Sequence, residues 1–144
     1  MRTRGFTLIE LLVVLVIMGL MLALVPAAFE RVLPGLAHKS AARDVAASLR
    51  AARGRAIRGN REVAVIVNPD DGTLSSDGGA PKRLDDGLAV SLVTGRSELL
   101  ADGSGRIRFF PDGTSTGGRI TLAGNGREYH ILVDWLTGGV TIRD

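Results

Sequence analysis

The first 25 residues constrain this 144-residue chain more than any other part of its sequence. A basic leader, residues 1–5, precedes an apolar stretch that runs from Phe6 to Val25 with Glu10 as its single charged side chain. Twenty residues of α-helix rise about 30 Å, which matches the hydrocarbon core of a bilayer. Since flanking positive charge stays on the cytoplasmic side, we expect the leader inside and the rest of the chain exported.

Three fates are compatible with such an apolar stretch. A signal peptide would be removed, and Val25-Pro26-Ala27-Ala28 imitates the small-residue site at which that cut is made. A plain membrane anchor would keep the whole segment. A cut between Gly5 and Phe6 would remove only the leader and would leave the apolar helix at the start of the mature chain.

Glu10 favours the third fate. A carboxylate inside an apolar span costs roughly 2.5–3.5 kcal/mol on membrane insertion, and a discarded signal peptide gains nothing from it. After a cut behind Gly5, Glu10 would lie about one helical turn from the new amine of Phe6. In an assembly of packed helices the carboxylate could neutralise the amine of the adjacent subunit, which offsets the desolvation of both charges and fixes the axial register.

The segment Gly5-Phe6-Thr7-Leu8-Ile9-Glu10, followed by Leu11-Leu12-Val13-Val14, resembles the class III signal of type IV pilins and type II secretion pseudopilins. The resemblance implies cleavage by a prepilin peptidase and N-methylation of Phe6. It also implies a single-pass inner-membrane subunit with its head in the periplasm. Its partners would be an inner-membrane assembly platform and the other major and minor pseudopilins of a helical fibre.

Residues 6–60 are predicted to form one long helix, with 6–25 in the membrane or fibre core and 26–60 as an amphipathic stalk. Pro26 should kink the helix, and Pro34-Gly35 is a second weak point. Gly59-Asn60 predicts the end of the helix. One apolar stripe recurs at intervals of three and four residues: Ala42, Val45, Leu49, Ala52 and Ala56.

The stalk is also basic. Residues 31–61 carry eight basic side chains against one acidic side chain, a net charge of +7, whereas residues 62–144 have a net charge of −4. Arg43, Arg50 and Arg58 fall on the side opposite the apolar stripe. These arginines form either a solvated face or a contact with an acidic neighbour or a phosphate backbone.

Residues 61–144 are predicted to form a β-rich head, so the fold class is α+β: a pilin-like helix whose C-terminal half packs on an antiparallel sheet. Asn125-Gly126 is a strong hairpin signal. Asp70, Asp71, Asp77, Asp85 and Asp86 fall in a Gly-rich stretch interpreted as a solvated acidic loop or a subunit contact. Their spacing does not match an EF-hand, and no metal site is expected. The strands are expected at 62–67, 88–94, 106–110, 119–122, 128–133 and 140–142.

The C-terminal third resembles the minor pseudopilin H family of type II secretion, in which a phenylalanine-proline-x-glycine turn precedes a glycine-containing final hairpin. Related minor pilins of the FimT and FimU type share these features and leave a role in pilus assembly or DNA uptake as the alternative. The resemblance implies a place near the fibre tip and a part in exporting folded proteins. It rests on Phe110, Pro111, Asp112 and Gly113, and on Asp134, Trp135 and Gly138.

Catalytic chemistry is not indicated. The chain has no cysteine, which excludes disulfides and thiolate catalysis. His130 and Asp134 could be two members of a catalytic triad, but the sequence has no Gly-x-Ser-x-Gly elbow to supply the serine. It also has no P-loop. Neither an enzyme nor a cofactor is therefore expected. The negative balance of the head argues against nucleic acid as a partner. A secreted enzyme behind an ordinary signal peptide is the remaining alternative and predicts a mature start near Ala27 or Ala28.

Overall fold

The structure, a computed structural model, describes residues 7–29, 33–84 and 87–144. The single helix predicted over residues 6–60 stays a prediction, because residues 30–32 lie outside the described residues. Helix α1 spans Leu8–Phe29 and continues through Pro26, and helix α2 spans Leu33–Gly59. Pro34 falls in the first turn of α2, where a missing backbone N–H breaks no helical hydrogen bond. The kink expected at Pro26 stays a prediction.

Residues 35–144 form one compact unit, and residues 1–34 form a second unit that contains helix α1. Its apolar side chains from Leu8 to Leu22 are exposed. Within the residues that the structure describes, no helix has both the length and the apolar character needed to cross a membrane.

Helix α2 ends where the Gly59-Asn60 pair predicts. Asn60 adopts a left-handed backbone with φ of 45°. Its N–H donates to the carbonyl of Ile57 at 3.4 Å, and the N–H of Arg61 donates to Ala56 at 3.2 Å. This pair of bonds is the Schellman motif, which satisfies carbonyls left over at the last turn.

The rest of the head consists of two antiparallel sheets of four strands each. The first sheet has the order β3-β2-β1-β5 and the second the order β4-β6-β7-β8. A 3₁₀ turn at Arg96–Glu98 lies between β4 and β5. The strands are β1 (Val63–Asn68), β2 (Thr73–Ser76), β3 (Lys82–Arg83), β4 (Ala89–Val93), β5 (Gly105–Phe109), β6 (Gly118–Gly124), β7 (Arg127–Val133) and β8 (Val140–Arg143).

One hydrophobic core joins α2 to both sheets. The stripe predicted on α2 is confirmed, because all five of its residues are buried, together with Ala41 and Ala46. Alternate residues of the strands complete the core, among them Val65, Ile107 and Ile120. Burial of one such Val, Leu or Ile side chain contributes about 1.5–3 kcal/mol, so this stripe is the main force that holds α2 on the head.

The hairpin predicted at Asn125-Gly126 is confirmed. Strand β6 pairs with β7 from Gly118 opposite Val133 to Gly124 opposite Arg127. Asn125 and Gly126 have φ of 51° and 72°, as a tight two-residue turn with positive φ at both positions requires.

The interpretation of residues 70–86 as a loop is wrong. Strands β2 and β3 lie within this segment and extend the first sheet beyond β1. Of the five aspartates, Asp85 and Asp86 lie outside the described residues. Asp77 pairs with Arg61 at 2.7 Å, so part of this acidic charge is neutralised by the end of the stalk.

Candidate assembly surface

Glu10 lies in the first turn of α1 and is exposed. The backbone N–H groups of Glu10 and Leu11 both donate to the carbonyl of Thr7, at 3.1 and 3.3 Å. A carboxylate at a helix N-terminus interacts favourably with the helix dipole. Gly5 and Phe6, the predicted cleavage and methylation positions, lie outside the described residues.

The phenylalanine-proline-x-glycine motif forms a tight turn after β5. The N–H of Gly113 donates to the carbonyl of Phe110 at 3.0 Å, with Pro111 and Asp112 at the corner. One carboxylate oxygen of Asp112 accepts from the N–H of Thr114 at 2.9 Å and from its hydroxyl at 2.7 Å. These bonds hold the pKa of Asp112 below its ordinary value, the hydroxyl contributing most. The turn is therefore fixed by its own side chains.

The second motif forms the loop between β7 and β8. Asp134 accepts from the N–H of Thr137 at 2.8 Å, from its hydroxyl at 2.8 Å and from the N–H of Leu136 at 3.1 Å. The backbone bond from Thr137 is the main reason that the pKa of Asp134 is lowered. Gly138 has φ of 60°, and its N–H donates to the carbonyl of Asp134 at 2.9 Å.

The structure brings the two motifs together at one end of the head. The N–H of Ser115 donates to the carbonyl of Trp135 at 2.9 Å, and its hydroxyl donates to the carbonyl of Asp134 at 3.0 Å. A Cβ on Gly138 would stand 2.2 Å from the carbonyl oxygen of Gly113. Only glycine therefore allows the loop and the turn to approach this closely.

Arg53 of α2 joins this contact. Its Nε donates to the carbonyl of Gly113 at 3.0 Å, and its side chain passes within 3.0 Å of where a Cβ on Gly138 would be. A matching bond runs from Arg50 to the carbonyl of Val140, at 2.9 Å. Since the carbonyl of Gly139 accepts from the N–H of Asp134, directly after β7, the next carbonyl, that of Val140, points to the outer edge of β8, and Arg50 occupies that edge.

One of the two interpretations of the sequence made the stalk arginines a solvated face. The structure shows that several of them instead bind groups of the head. Arg55 donates to the hydroxyl of Ser76, and Arg61 pairs with Asp77. Sequence reasoning missed Arg53 and Arg55 as binding residues. Arg53 is four residues after Leu49 and three before Ala56, so it borders the buried stripe, and this spacing was the available signal.

Two large apolar side chains project from the end that these bonds hold in place. Trp135 is 65% exposed and Leu136 is 59% exposed. The backbone around them is held by hydrogen bonds to Asp134 and from Ser115, whereas the two side chains lie largely in solvent. A rigid loop that presents an exposed tryptophan has the character of an interaction surface.

Comparison with known proteins identifies the family to which this architecture belongs. Residues 41–138 match the family described as type II transport protein GspH, and residues 1–26 match the prokaryotic N-terminal methylation motif. The chain belongs to the GspH family. Both motifs of the head lie in the first match, and Gly5, Phe6, Glu10 and Pro26 lie in the second.

A curated relative of this GspH-family chain is the type II secretion system protein H of Xanthomonas campestris pv. campestris. It is 33% identical over 139 residues, which cover 96% of this chain and 82% of that protein. The minor pseudopilin EpsH from the type 2 secretion system of Vibrio cholerae has the same fold, with a TM-score of 0.58 at 15% identity over 73% of this chain and 94% of that one.

The type IV minor pilin FimU of Pseudomonas aeruginosa also shares the fold. Its TM-score is 0.53 at 19% identity, and the match covers 74% of this chain and 87% of that one. The pilin-like α+β fold expected from the sequence is confirmed by these structures. At such identities the two structures establish the fold alone.

The head of this GspH-family chain also contains an ion network around one buried carboxylate, which sequence reasoning missed. Glu98 is 4% exposed and lies 3.0 Å from Arg108 and 3.4 Å from Arg106. Arg108 also donates to Glu62 at 3.1 Å, and its hydrogen bonds to the carboxylates of Glu62 and Glu98 raise its pKa. The network joins the 3₁₀ turn to β5 and to the start of β1. Its charged residues are scattered over separate elements, so no pattern in the sequence predicts that they meet.

His130 and Asp134, the side chains considered for catalysis, have structural partners. The Nδ1 of His130 is 3.0 Å from the hydroxyl of Thr121, and the carboxylate of Asp134 accepts from its own loop. His38 is buried against Gly87 and Gly124. Across residues 7–29, 33–84 and 87–144, no three His, Cys, Asp or Glu side chains are grouped so that they could hold a metal ion.

Proposed function

We propose that this chain is a minor pseudopilin of a type II secretion pseudopilus, a structural subunit that helps export folded proteins. The observation that carries the proposal is the pair of family matches on one chain: an N-terminal methylation motif, and a GspH match over the head and most of α2. The relative from Xanthomonas, which spans nearly the whole chain, supports it. The role requires no catalytic group and no cofactor.

The N-terminal part of the proposal follows from the sequence. A prepilin peptidase cuts between Gly5 and Phe6, and Phe6 is N-methylated. Before assembly the chain sits in the inner membrane through its apolar segment, with the head in the periplasm. The assembly platform then extracts it into the fibre, where the apolar helix packs against the helices of other pseudopilins and Glu10 neutralises a neighbour's N-terminus.

The head part of the proposal follows from the end of the molecule just described. The turn at Pro111–Gly113 and the loop at Asp134–Gly138 are held as one rigid unit with Arg53. We assign contacts with neighbouring subunits near the fibre tip to this unit. A surface fixed before association loses little conformational entropy on binding, which suits a subunit that must dock in one orientation.

The test replaces Glu10 with alanine in a strain that lacks the native gene. We expect secretion of folded exoproteins to fall to the level of the deletion strain, because the lost carboxylate leaves the neighbour's amine unpaired. Leu12→Ala, a truncation two residues along the same exposed helix, is the matched control and should retain secretion. Mass spectrometry of the mature chain should show an N-methylated Phe6. Normal fibre entry and secretion by Glu10→Ala would refute the register role.

A type IV minor pilin is the second candidate, and the fold shared with FimU favours it. Scoring the deletion strain for both secretion and twitching separates the two fibres. A DNA-binding role is disfavoured, because Arg50, Arg53 and Arg55 already donate to groups of the head. Absence of a DNA mobility shift at low salt, where phosphate contacts are strongest, would exclude it.

A further inference from the structure

The outer face of the second sheet carries a row of side chains that the core does not use. Val93 of β4 pairs with Arg119 of β6, and Arg119 pairs with Leu132 of β7. Directly opposed residues have their side chains on one face, with Cβ atoms about 4.5–5.5 Å apart. The next residues along two of these strands, Ile120 and Val133, are buried. Since successive side chains of a strand point to opposite faces, the row faces away from the core.

Trp135 borders this row, with Leu136 next to it in the loop. A Cβ added to Gly117, two residues before Arg119, would lie 3.0 Å from the Cβ of Trp135. Val93 is 64% exposed, almost as much as Trp135. Large apolar side chains grouped on a surface mark a site of interaction. The group is here called the sheet-end patch and consists of Val93, Arg119, Leu132, Trp135 and Leu136.

Arg119 gives the sheet-end patch a positive charge that its own chain does not neutralise. The Arg119 side chain is exposed and makes no hydrogen bond or ion pair with any residue in the described part of the chain. Asp134, next to Trp135, accepts from its own loop instead. Arg108, by contrast, is paired with Glu98. The guanidinium of Arg119 is therefore available to a carboxylate of a second molecule.

The loop that carries Trp135 is held in place before any partner binds. The N–H groups of Leu136 and Thr137 donate to the carboxylate of Asp134. The N–H of Ser115 donates to the carbonyl of Trp135 at 2.9 Å. A surface fixed in advance loses little conformational entropy on binding. Tryptophan and arginine, both present in the sheet-end patch, are also the residues most enriched among those that dominate binding energy.

A protein and a lipid surface are the two kinds of partner that suit a tryptophan beside an arginine. Recognition of anionic lipid uses a cluster of about four to eight basic residues. The sheet-end patch contains one basic residue, Arg119, between the apolar side chains of Val93 and Leu132. A single cation within an apolar surface is typical of a protein interface, where one charged pair sets the orientation of two packed surfaces.

We propose that the sheet-end patch binds a different pseudopilin of the same fibre, which presents a carboxylate to Arg119 and an apolar pocket to Trp135. The proposal rests on the function above, because only a fibre subunit has such a neighbour. A minor subunit near the fibre tip contacts subunits of other kinds, so the two surfaces that meet differ from each other. The charged pair fixes how the neighbour docks, and the tryptophan supplies buried apolar area.

Photo-crosslinking in intact cells identifies the partner. The photoreactive residue p-benzoylphenylalanine replaces Val93 in the full-length chain, which is expressed at its native level in the deletion strain. We expect one adduct, and mass spectrometry should identify its second component as a different chain with its own N-terminal methylation motif. The same residue at Glu128 is the control and should not give this adduct. Glu128 lies on the same face of β7, about 13 Å along the strand from Leu132.

Charge reversal tests the chemistry of the contact. With the photoreactive residue at position 93, Arg119→Glu should lower the adduct yield about tenfold or more, because two carboxylates would then face each other. Trp135→Ala should lower it by a similar factor, the loss typical of an interface hot spot. Arg127→Glu, at the opposite end of the same sheet, is the matched control and should leave the yield unchanged.

A compensating change in the partner makes the test independent of folding. The carboxylates of the cross-linked partner peptide are replaced by lysine one at a time. One of these changes should restore the yield of the Arg119→Glu chain, which also shows that this chain still folds.

Five results overturn the proposal. They are no adduct at position 93, an adduct only with a second copy of this chain or with a protein that lacks the methylation motif, an adduct with phospholipid, a yield that Arg119→Glu or Trp135→Ala leaves unchanged, and no rescue by any lysine. Secretion is scored in the same strains. A missing adduct in a system whose secretion still depends on the gene refutes the docking surface alone, whereas normal secretion in the deletion strain refutes the proposed function.

Discussion

Gly138→Ala tests the close approach of the two head motifs. Gly138 has φ of 60°, and a Cβ added there would lie 2.2 Å from the carbonyl oxygen of Gly113 and 2.8 Å from Nε of Arg53. Contacts under 3 Å are not tolerated by carbon, so the turn or the loop must move. Movement of the Gly113 carbonyl also breaks its 3.0 Å hydrogen bond from Arg53.

The cost has three parts. A left-handed backbone costs a non-glycine residue about 1–2 kcal/mol. Loss of the hydrogen bond from Arg53 adds about 0.5–1.5 kcal/mol, and the carbonyl left without its partner adds a comparable amount if it stays buried. We therefore expect Gly138→Ala to lower the free energy of unfolding by about 2–4 kcal/mol, a large fraction of the stability of an ordinary domain.

Urea unfolding of the full chain in mild detergent, followed by circular dichroism, measures this loss. With a slope of about 1.5–2 kcal/mol per M, the midpoint should fall by about 1–3 M. Gly126→Ala is the matched control, because Gly126 also has a positive φ, 72°, but its added Cβ would meet nothing within 4 Å. Gly126→Ala should therefore show the backbone cost alone. Equal losses for the two variants would refute the collision between Gly138 and Gly113.

Three further predictions use the same unfolding assay. Glu98→Gln should cost about 1–3 kcal/mol, because it leaves two partly exposed arginines without their shared carboxylate. Arg50→Ala should cost about 0.5–1.5 kcal/mol through the lost bond to β8, and Arg43→Ala, on the same helix, should cost less than 0.5 kcal/mol or so. Because hydrogen bonds depress the folded pKa of Asp134 below its unfolded value of about 3.9, the stability they give is complete above that pH and is lost as the pH falls through the folded pKa. Asp134→Asn should weaken this acid sensitivity, measured as the urea midpoint between about pH 5 and pH 2. An unchanged acid dependence would show that the carboxylate does not support the loop.

The parts of the fold that sequence predicted depend on local patterns. The buried stripe of α2 follows from helical periodicity, and the β6–β7 hairpin follows from the two residues that can adopt its turn. The helix end at Asn60 follows from the residues that tolerate a left-handed backbone. Each of these features is decided by neighbours within a few residues, so one sequence is enough to identify it.

The parts that sequence missed depend on distant partners or on very short elements. Strand β3 has two residues, both exposed, and no periodicity can be recognised in so short a run. Glu98 is buried only because Arg106 and Arg108 of β5 reach it from one side of the strand. Gly138 must be glycine because of Gly113, a residue that is 25 positions away and meets it only in the folded head.

The stalk arginines show how the structure changes a functional argument based on charge. The sequence assigns residues 31–61 a net charge of +7, which fits a solvated face, a contact with an acidic neighbour or a contact with a phosphate backbone. Arg50 and Arg53 instead donate to backbone carbonyls of the head, and Arg61 is neutralised by Asp77. A guanidinium bound to a carbonyl keeps its charge but loses the freedom to follow a phosphate backbone. The same residues therefore stabilise the fold, because they hold in place the end of the head from which Trp135 projects. Trp135, rather than the basic helix, is the better candidate for contact with a neighbouring subunit.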